Sequence, residues 1–493
     1  MIHKLYSLTD TVEKAKEPLY IRGIKERKEH SILMHKGEVL DFTTYFNSLS
    51  LKKWKRYTTI KALQLVLRLE GLFQVVFHLY DEKGNVRHIS ADADSPRFSY
   101  SMNAEALDGV LIGFSLYCMS DVGQYIGGQW NGEFTQWEDK KIGISITTFK
   151  REKYVKRTMN LLHDFQKNHS WLSVLVVDNG STLKEMQDNR FRVIHNRNFG
   201  GSGGFTRGMI EYVEHGLVDY VLLMDDDIVL ETSALERSFS LISGLRKRYQ
   251  ESFLAGAMLS LEEPCRQCEN TAYWDKIISH VCCKDLELTT VPNLIINEKI
   301  HNHPNAYAGW WYCCMPVQRI KRIGYPIPVF IKSDDMEYGI RNHKEILSLN
   351  GIGVWHQAFA EKMNSTIRYF SDRNSFILNH YALECGRGTL MLAILGRMMK
   401  RFAQGDIQGI TALAFALRAY MEGFRQITSQ PADQAFTQVR NQSYDDNLGV
   451  SLMKIARDIV KIICHYHRLD DEYKSFRQEF LADSTFWKKY LEI

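Results

Sequence analysis

No stretch of about eighteen uncharged apolar residues occurs in the 493-residue chain, so no segment reads as a membrane-spanning helix. The first residues, Met1-Ile2-His3-Lys4-Leu5, lack the apolar core of a signal peptide. Together these absences predict a protein made and kept in the cytoplasm. Charge of one sign is missing too: 62 Lys and Arg against 58 Asp and Glu leave a net charge of +4, and no global field points to nucleic acid. Basic residues cluster locally near the C-terminus. Long low-complexity stretches are absent, and 45% hydrophobic with 24% charged residues is the make-up of a folded globular protein. At this length the expectation is about three domains. The nine cysteines do not form a disulfide framework. Their count is odd, and Cys282-Cys283 and Cys313-Cys314 are sequence neighbours, which fits reduced thiols. Cys265-Arg266-Gln267-Cys268 followed by Cys282-Cys283 leaves a structural zinc open, with ordinary or partly buried cysteines the simpler reading because the second half is not CxxC.

Three regions follow one another along the chain. From residue 1 to 137 the period is mostly two: 74–80, 97–101 and 110–117 have strand composition, and Asp81 to Asn85 reads as a hairpin turn. Short strands with turn signals predict a β-sandwich, with 43–47 and 51–57 as an aromatic, basic connection inside it. From 138 to 375 strand and helix alternate. Strands are expected at 141–149, 173–181, 192–196 and into Asp225, and helices at 152–165 and 208–216, which predicts a mainly parallel α/β sheet with covered faces. Beyond 376 the spacing is helical to the end, with helices expected at 389–402, 407–424, 452–467 and 471–490. The segment Leu395 to Phe402 mixes apolar and basic residues. It suits either an anionic membrane surface or packing on its own domain or on another subunit.

The chemistry gathers at the ends of the expected strands. Val221 to Met224 runs into Asp225-Asp226-Asp227, and ligands in parallel sheets collect at the carboxyl ends of the strands. Three adjacent carboxylates need positive charge, for which a hard divalent cation is an economical source. A solvated strand end or a helix cap is the alternative. The first strand ends in Thr147-Thr148-Phe149-Lys150-Arg151, whose backbone and hydroxyls can meet a base and whose arginine can meet a phosphate. The second ends in Asp178-Asn179-Gly180-Ser181, where a carboxylate can accept from a uracil or ribose. Asn198-Phe199-Gly200-Gly201-Ser202-Gly203-Gly204 reads as a glycine loop whose amides, with the following helix, approach a phosphate; a flexible turn is the plainer reading. It is neither a Walker loop nor a GxGxxG fingerprint. Asp334-Asp335 opens an expected helix and suits removal of a proton from a hydroxyl. His356 follows a short apolar strand and is either a metal ligand or a structural histidine beside Trp355. Trp310-Trp311 is either a sugar-stacking pair or a buried one.

In this order the motifs resemble the family 2 glycosyltransferases of the GT-A fold and, more narrowly, the bacterial galactofuranosyltransferases of the mycobacterial polymerising type. The resemblance implies a Rossmann-like GT-A catalytic domain with an N-terminal β-sandwich and a C-terminal helical domain. It implies inverting transfer of galactofuranose from a UDP-sugar donor to a glycan, lipid-linked and at the cytoplasmic face of the inner membrane, with dTDP-rhamnose or UDP-galactopyranose as alternative donors and a non-catalytic sugar-binding module as a remote one. By the same resemblance Asp335 is the catalytic base, while Asp227 and His356 hold Mn²⁺ or Mg²⁺. Thr147, Arg151, Asp178, Asn198, Gly200, Gly201, Asp225 and Asp226 are expected on the donor side, Asp225 on the uridine diphosphate and Asp226 as the tolerant member. Trp310, Trp311 and Asp334 are expected on the acceptor side. A homo-oligomer through the C-terminal helices is a further expectation. Ser333 departs from the family, where an aromatic is expected.

Overall fold

The computed structural model describes every residue except 95, 189, 276–277, 358–363, 382–385, 430, 445–446 and 481–483. In the N-terminal region two antiparallel sheets face each other. One has Val122–Phe134 and Ile60–Glu70 at its centre, and the other pairs Leu72–Tyr80 with Val86–Asp94 and Leu111–Cys118. Alternate residues of Leu72–Tyr80 are buried, as one-sided burial of an antiparallel sheet requires. The inner faces meet through Phe77, Phe114 and Trp130. The expected sandwich is present, and the aromatic, basic connection at 51–57 takes the form of a helix, Leu51–Tyr57. It lies against the neighbouring α/β region: Lys53 is buried and its Nζ donates to Asn297 O at 3.0 Å. Arg237, also buried, donates to Phe46 O and lies over the Tyr6 ring. One apolar core runs through both regions.

The α/β region is built on a seven-stranded sheet. Ile142–Thr148 lies between Leu172–Asp178 and Tyr220–Asp225, parallel to both, with Thr148 opposite Asp178 and Thr147 opposite Asp225. This register brings three strand ends to one rim. Cys313–Pro316 runs antiparallel beside Tyr220–Asp225 and delivers Trp310-Trp311 to the same rim. In a second sheet, Val229–Leu230 pairs antiparallel with Gly353–His356, and the match of Val229 with Trp355 carries His356 back beside Asp227.

Two helical expectations change. The glycine stretch is not a loop, because one helix spans Gly200–His215 and includes it. The reason is contact with the sheet: a Cβ at Gly204 would meet Thr147 Cγ2 at 2.2 Å, and one at Gly208 would meet Ser145 Oγ at 1.8 Å. Likewise Leu448–Phe480 is a single helix through the break expected near 468–471. Ile455, Ile462, Tyr466, Leu469, Tyr473 and Phe476 are all buried, and this stripe carries the apolar face past the polar residues between them. Among the described residues no helix is long and apolar enough to cross a membrane.

Candidate active site

The three carboxylates of the acidic triplet have three environments. Asp226 is buried and accepts from Thr148 Oγ1 at 2.7 Å, and burial pushes its carboxyl up to about 7 against the pull of Thr148 and Arg151. It ties its own strand end to that of Ile142–Thr148 while still lining the cleft. Asp227 Oδ1 lies 3.1 Å from His356 Nε2, and Asp225 Oδ2 lies 3.8 Å from the same nitrogen. His356 is buried, and its Nδ1 lies 2.6 Å from Gln357 O. A carbonyl only accepts, so Nδ1 carries the proton and Nε2 is turned to the carboxylates, as in metal-binding imidazoles whose other ring N–H is held by a carbonyl. Asp225, Asp227 and His356 each offer an atom within 4.8 Å of the others, and they form the only such metal-competent group found among the described residues. Two carboxylates and an imidazole suit a divalent cation of the Mn²⁺ or Mg²⁺ type. The cysteines at 265, 268, 282 and 283 are free thiols and form no such group.

Arg151, expected on a phosphate, pairs with Asp227, and its guanidinium lies 3.6 Å from Asp226. It supplies positive charge that the triplet requires. Asp178 is not open to a donor either. It is fully buried, and its carboxylate accepts from the Gly180, Thr182 and Leu183 amides, so it shapes the loop after its strand. Asn198 Oδ1 accepts from Gly200 N at 3.1 Å. Gly200, at φ +69°, is required because a Cβ there would meet Phe330 O at 2.2 Å. With the Ser202 amide on Phe330 O and the Gly203 amide on Phe199 O, the Gly201 amide is, among the described residues, the one of this first turn left to meet a ligand. Gly201 also lines the cleft. Thr147 Oγ1 is buried against the glycine helix with no hydrogen-bond partner.

The cleft above the triplet holds about 330 Å³ and brings Asp225, Asp227 and His356 together with Trp310, Trp311 and Asp335. Both tryptophans are mostly buried. Trp311 Nε1 donates to Gly256 O, and Trp310 meets Phe205 edge to face. Asp334 and Asp335 open the helix Asp334–Asn342. Burial pushes both carboxyls above the ordinary carboxylate range; Asp335 adds to the shift at Asp334, and Lys332 opposes both. Glu269, at the end of the strand Arg266–Glu269, is a third carboxyl in this field, pushed up to about 7 by burial and then by Asp335. Sequence reasoning missed Glu269 because nothing in its cysteine-rich surroundings marks it, and only the second sheet brings it near Asp335.

Comparison with known proteins agrees with this geometry. Residues 144–248, which carry the acidic triplet and the glycine helix, match the family model described as glycosyl transferase family 2, so this segment is similar to the glycosyltransferase domains of that family. Residues 6–124 match the model described as galactofuranosyltransferase 2 N-terminal, so in two separate segments the chain is similar to family 2 galactofuranosyltransferases. It is 25% identical over 383 residues to galactofuranosyltransferase GlfT2 of Mycolicibacterium smegmatis, covering 69% of this chain and 57% of that protein. To GlfT2 of Mycobacterium tuberculosis it is 26% identical over 378 residues, covering 69% and 58%. The match thus spans less than three fifths of these curated relatives. Among solved structures, S. aureus TarS 1-349 in complex with UDP has a TM-score of 0.35 at 13% identity, covering 66% of this chain and 91% of that one. At that score the likeness carries no argument.

Proposed function

We propose that the protein is an inverting, metal-dependent transferase that moves galactofuranose from UDP-galactofuranose to a hydroxyl of a growing, lipid-linked cell-surface glycan. The observation that carries this reading is one cleft with Asp225, Asp227 and His356 on one side and Asp335 on another. The names of the two curated relatives support the donor sugar. Asp227 and His356 hold the cation, and Asp225 serves the cation and the uridine diphosphate. A divalent cation bound there supplies the Lewis acid that offsets charge on a departing diphosphate. Gly201 presents its free amide to that charge, and Arg151 is close enough to the triplet to join it. Asp335 takes the proton of the attacking hydroxyl, and its raised proton affinity suits a general base. Trp310 and Trp311 wall the sugar sites with apolar surface.

The reading divides the chain near residues 137 and 375 into sandwich, transferase and helical units. The transferase works at the cytoplasmic face of the membrane. Support for surface contact comes from Leu392, Leu395, Met399 and Phe402, exposed on the helix Arg387–Ala403, whose last turn carries Lys400 and Arg401. The test is a donor screen on short glycan acceptors, read by mass spectrometry, with Asp335→Asn in parallel. UDP-galactofuranose is expected to be the preferred donor, and Asp335→Asn to lose at least ~10²-fold in rate. Faster transfer from UDP-galactopyranose or dTDP-rhamnose overturns the donor assignment. A well-folded Asp335→Asn protein with wild-type turnover overturns the base.

A further inference from the structure

The segment that leads into Asp334 and Asp335 has an unusual backbone. Phe330, Lys332 and Ser333 take φ values of +73°, +67° and +68°, a region that side chains of this kind rarely adopt and that persists only where the surroundings over-determine it. Ser333 immediately precedes the helix Asp334–Asn342. The conformation of 330–333 therefore sets the direction in which the two carboxyls leave the loop.

The constraint comes from another part of the chain, the helix Ser365–Tyr381. Asn374 Nδ2 donates to Ile331 O at 2.8 Å and Lys332 O at 2.9 Å, and reaches Val329 O at 3.4 Å. Arg373 Nη2 donates to Val329 O at 3.0 Å, while its Nε donates to Asn374 Oδ1 at 2.9 Å. A guanidinium only donates, so this contact fixes which end of the Asn374 amide faces the loop. Both residues are buried. On the opposite side the Ser202 amide donates to Phe330 O at 3.1 Å. The Phe330 ring has Phe370 at 5.6 Å and Phe436 at 5.0 Å.

We propose that Arg373 and Asn374 are positioning residues for Asp335: by clamping the carbonyls of Val329, Ile331 and Lys332 they hold the left-handed loop that aims this carboxyl into the cleft. Neither residue touches a reacting atom. The proposal rests on the reading of Asp335 as the base. It also gives the helix after the cleft a part in the reaction, because the clamp lies beyond the last residue of the metal group. The neighbouring Asp372 is held in turn by Arg401 at 2.6 Å, so this turn of the helix is anchored on both sides.

The test uses the full chain with Asn374→Asp, which keeps the shape and removes the donor, and Asn374→Ala as a second variant. Four quantities are measured: transfer kinetics, UDP affinity in Mn²⁺, melting temperature, and deuterium uptake of the 329–335 peptide. The expected result is a loss of about 10²-fold in kcat, the scale of a small misplacement of a catalytic group, with UDP affinity changed by less than about twofold. Faster uptake is expected in 329–335 and not in the strands of the central sheet. Unchanged uptake in both variants overturns the clamp whatever the activity does. Faster uptake with wild-type kcat overturns the positioning role, as does parallel loss of kcat and UDP affinity, which marks a merely structural part. Asp335→Asn, run alongside, separates the two readings: wild-type transfer by that variant overturns the base assignment and with it the catalytic purpose of the clamp.

Discussion

Alanine at the glycines of the helix Gly200–His215 separates packing from ligand contact. At Gly208 the new methyl would lie 1.8 Å from Ser145 Oγ, and at Gly204 it would lie 2.2 Å from Thr147 Cγ2. Both obstructions belong to Ile142–Thr148, which cannot retreat because it is hydrogen bonded to a strand on each side. In an open helix interior alanine gains up to ~1 kcal/mol over glycine, whereas overpacking costs ~1–3 kcal/mol and more when backbone must shift. The net expectation for Gly208→Ala or Gly204→Ala is a loss of about 2 kcal/mol, or a melting point lower by ~4–8 °C. At Gly201 the nearest atoms, Asp334 Oδ2 and Phe205 Cε2, are 3.9 Å and 4.0 Å away. Gly201→Ala is therefore expected to melt within ~2 °C of wild type and, because its methyl enters the cleft, to bind UDP more weakly. Thermal melts by circular dichroism and titration calorimetry with UDP and Mn²⁺ measure the two effects. The packing argument fails if the 204 and 208 variants melt like wild type, or if the 201 variant is the unstable one.

Two further expectations concern charge. Burial alone would raise the Glu236 carboxyl, but donors from His169, Lys4 and Ser7 outweigh it and hold it down to about 2 against an ordinary 4.5. A lowered folded value stabilises above the unfolded one, so Glu236 is worth roughly 3 kcal/mol at neutral pH, lost as pH falls from 4.5 towards 2. Glu236→Gln should thus destabilise the junction between strand Ile2–Ser7 and helix Thr232–Ser243 at pH 7 and have little effect near pH 2; denaturant melts that differ equally at both values contradict this. His356→Ala is expected to raise the Mn²⁺ concentration needed for half-maximal UDP binding by at least ~10-fold, the scale on which even loss of a group that only orients a metal ligand acts, and an unchanged titration refutes the ligand assignment.

Much of this protein was legible in its sequence because local signals and burial agree there. Alternation in 72–80, the apolar run 221–224 and the helical stripe after 376 each state a period that only one packing satisfies. The acidic triplet, Asp335 and His356 were recognisable by type and order. What the chain could not express locally is which of these groups face one another. Asp178 has the same strand-end position as Asp225, yet three loop amides close over it. Asp226 lines the same cleft as its two neighbours, yet one of its oxygens is already taken by the Thr148 hydroxyl. The glycines at 204 and 208 are indistinguishable from a flexible loop until Thr147 and Ser145 stand against them. Glu269 and the Arg373-Asn374 clamp had no signal at all, since each acquires its role from a segment tens of residues away. Sequence alone determined the kinds of element and the chemistry available. Tertiary structure decided which carboxylates stay open to a ligand, because a side chain's hydrogen-bonding capacity can be taken up by backbone that only folding brings near.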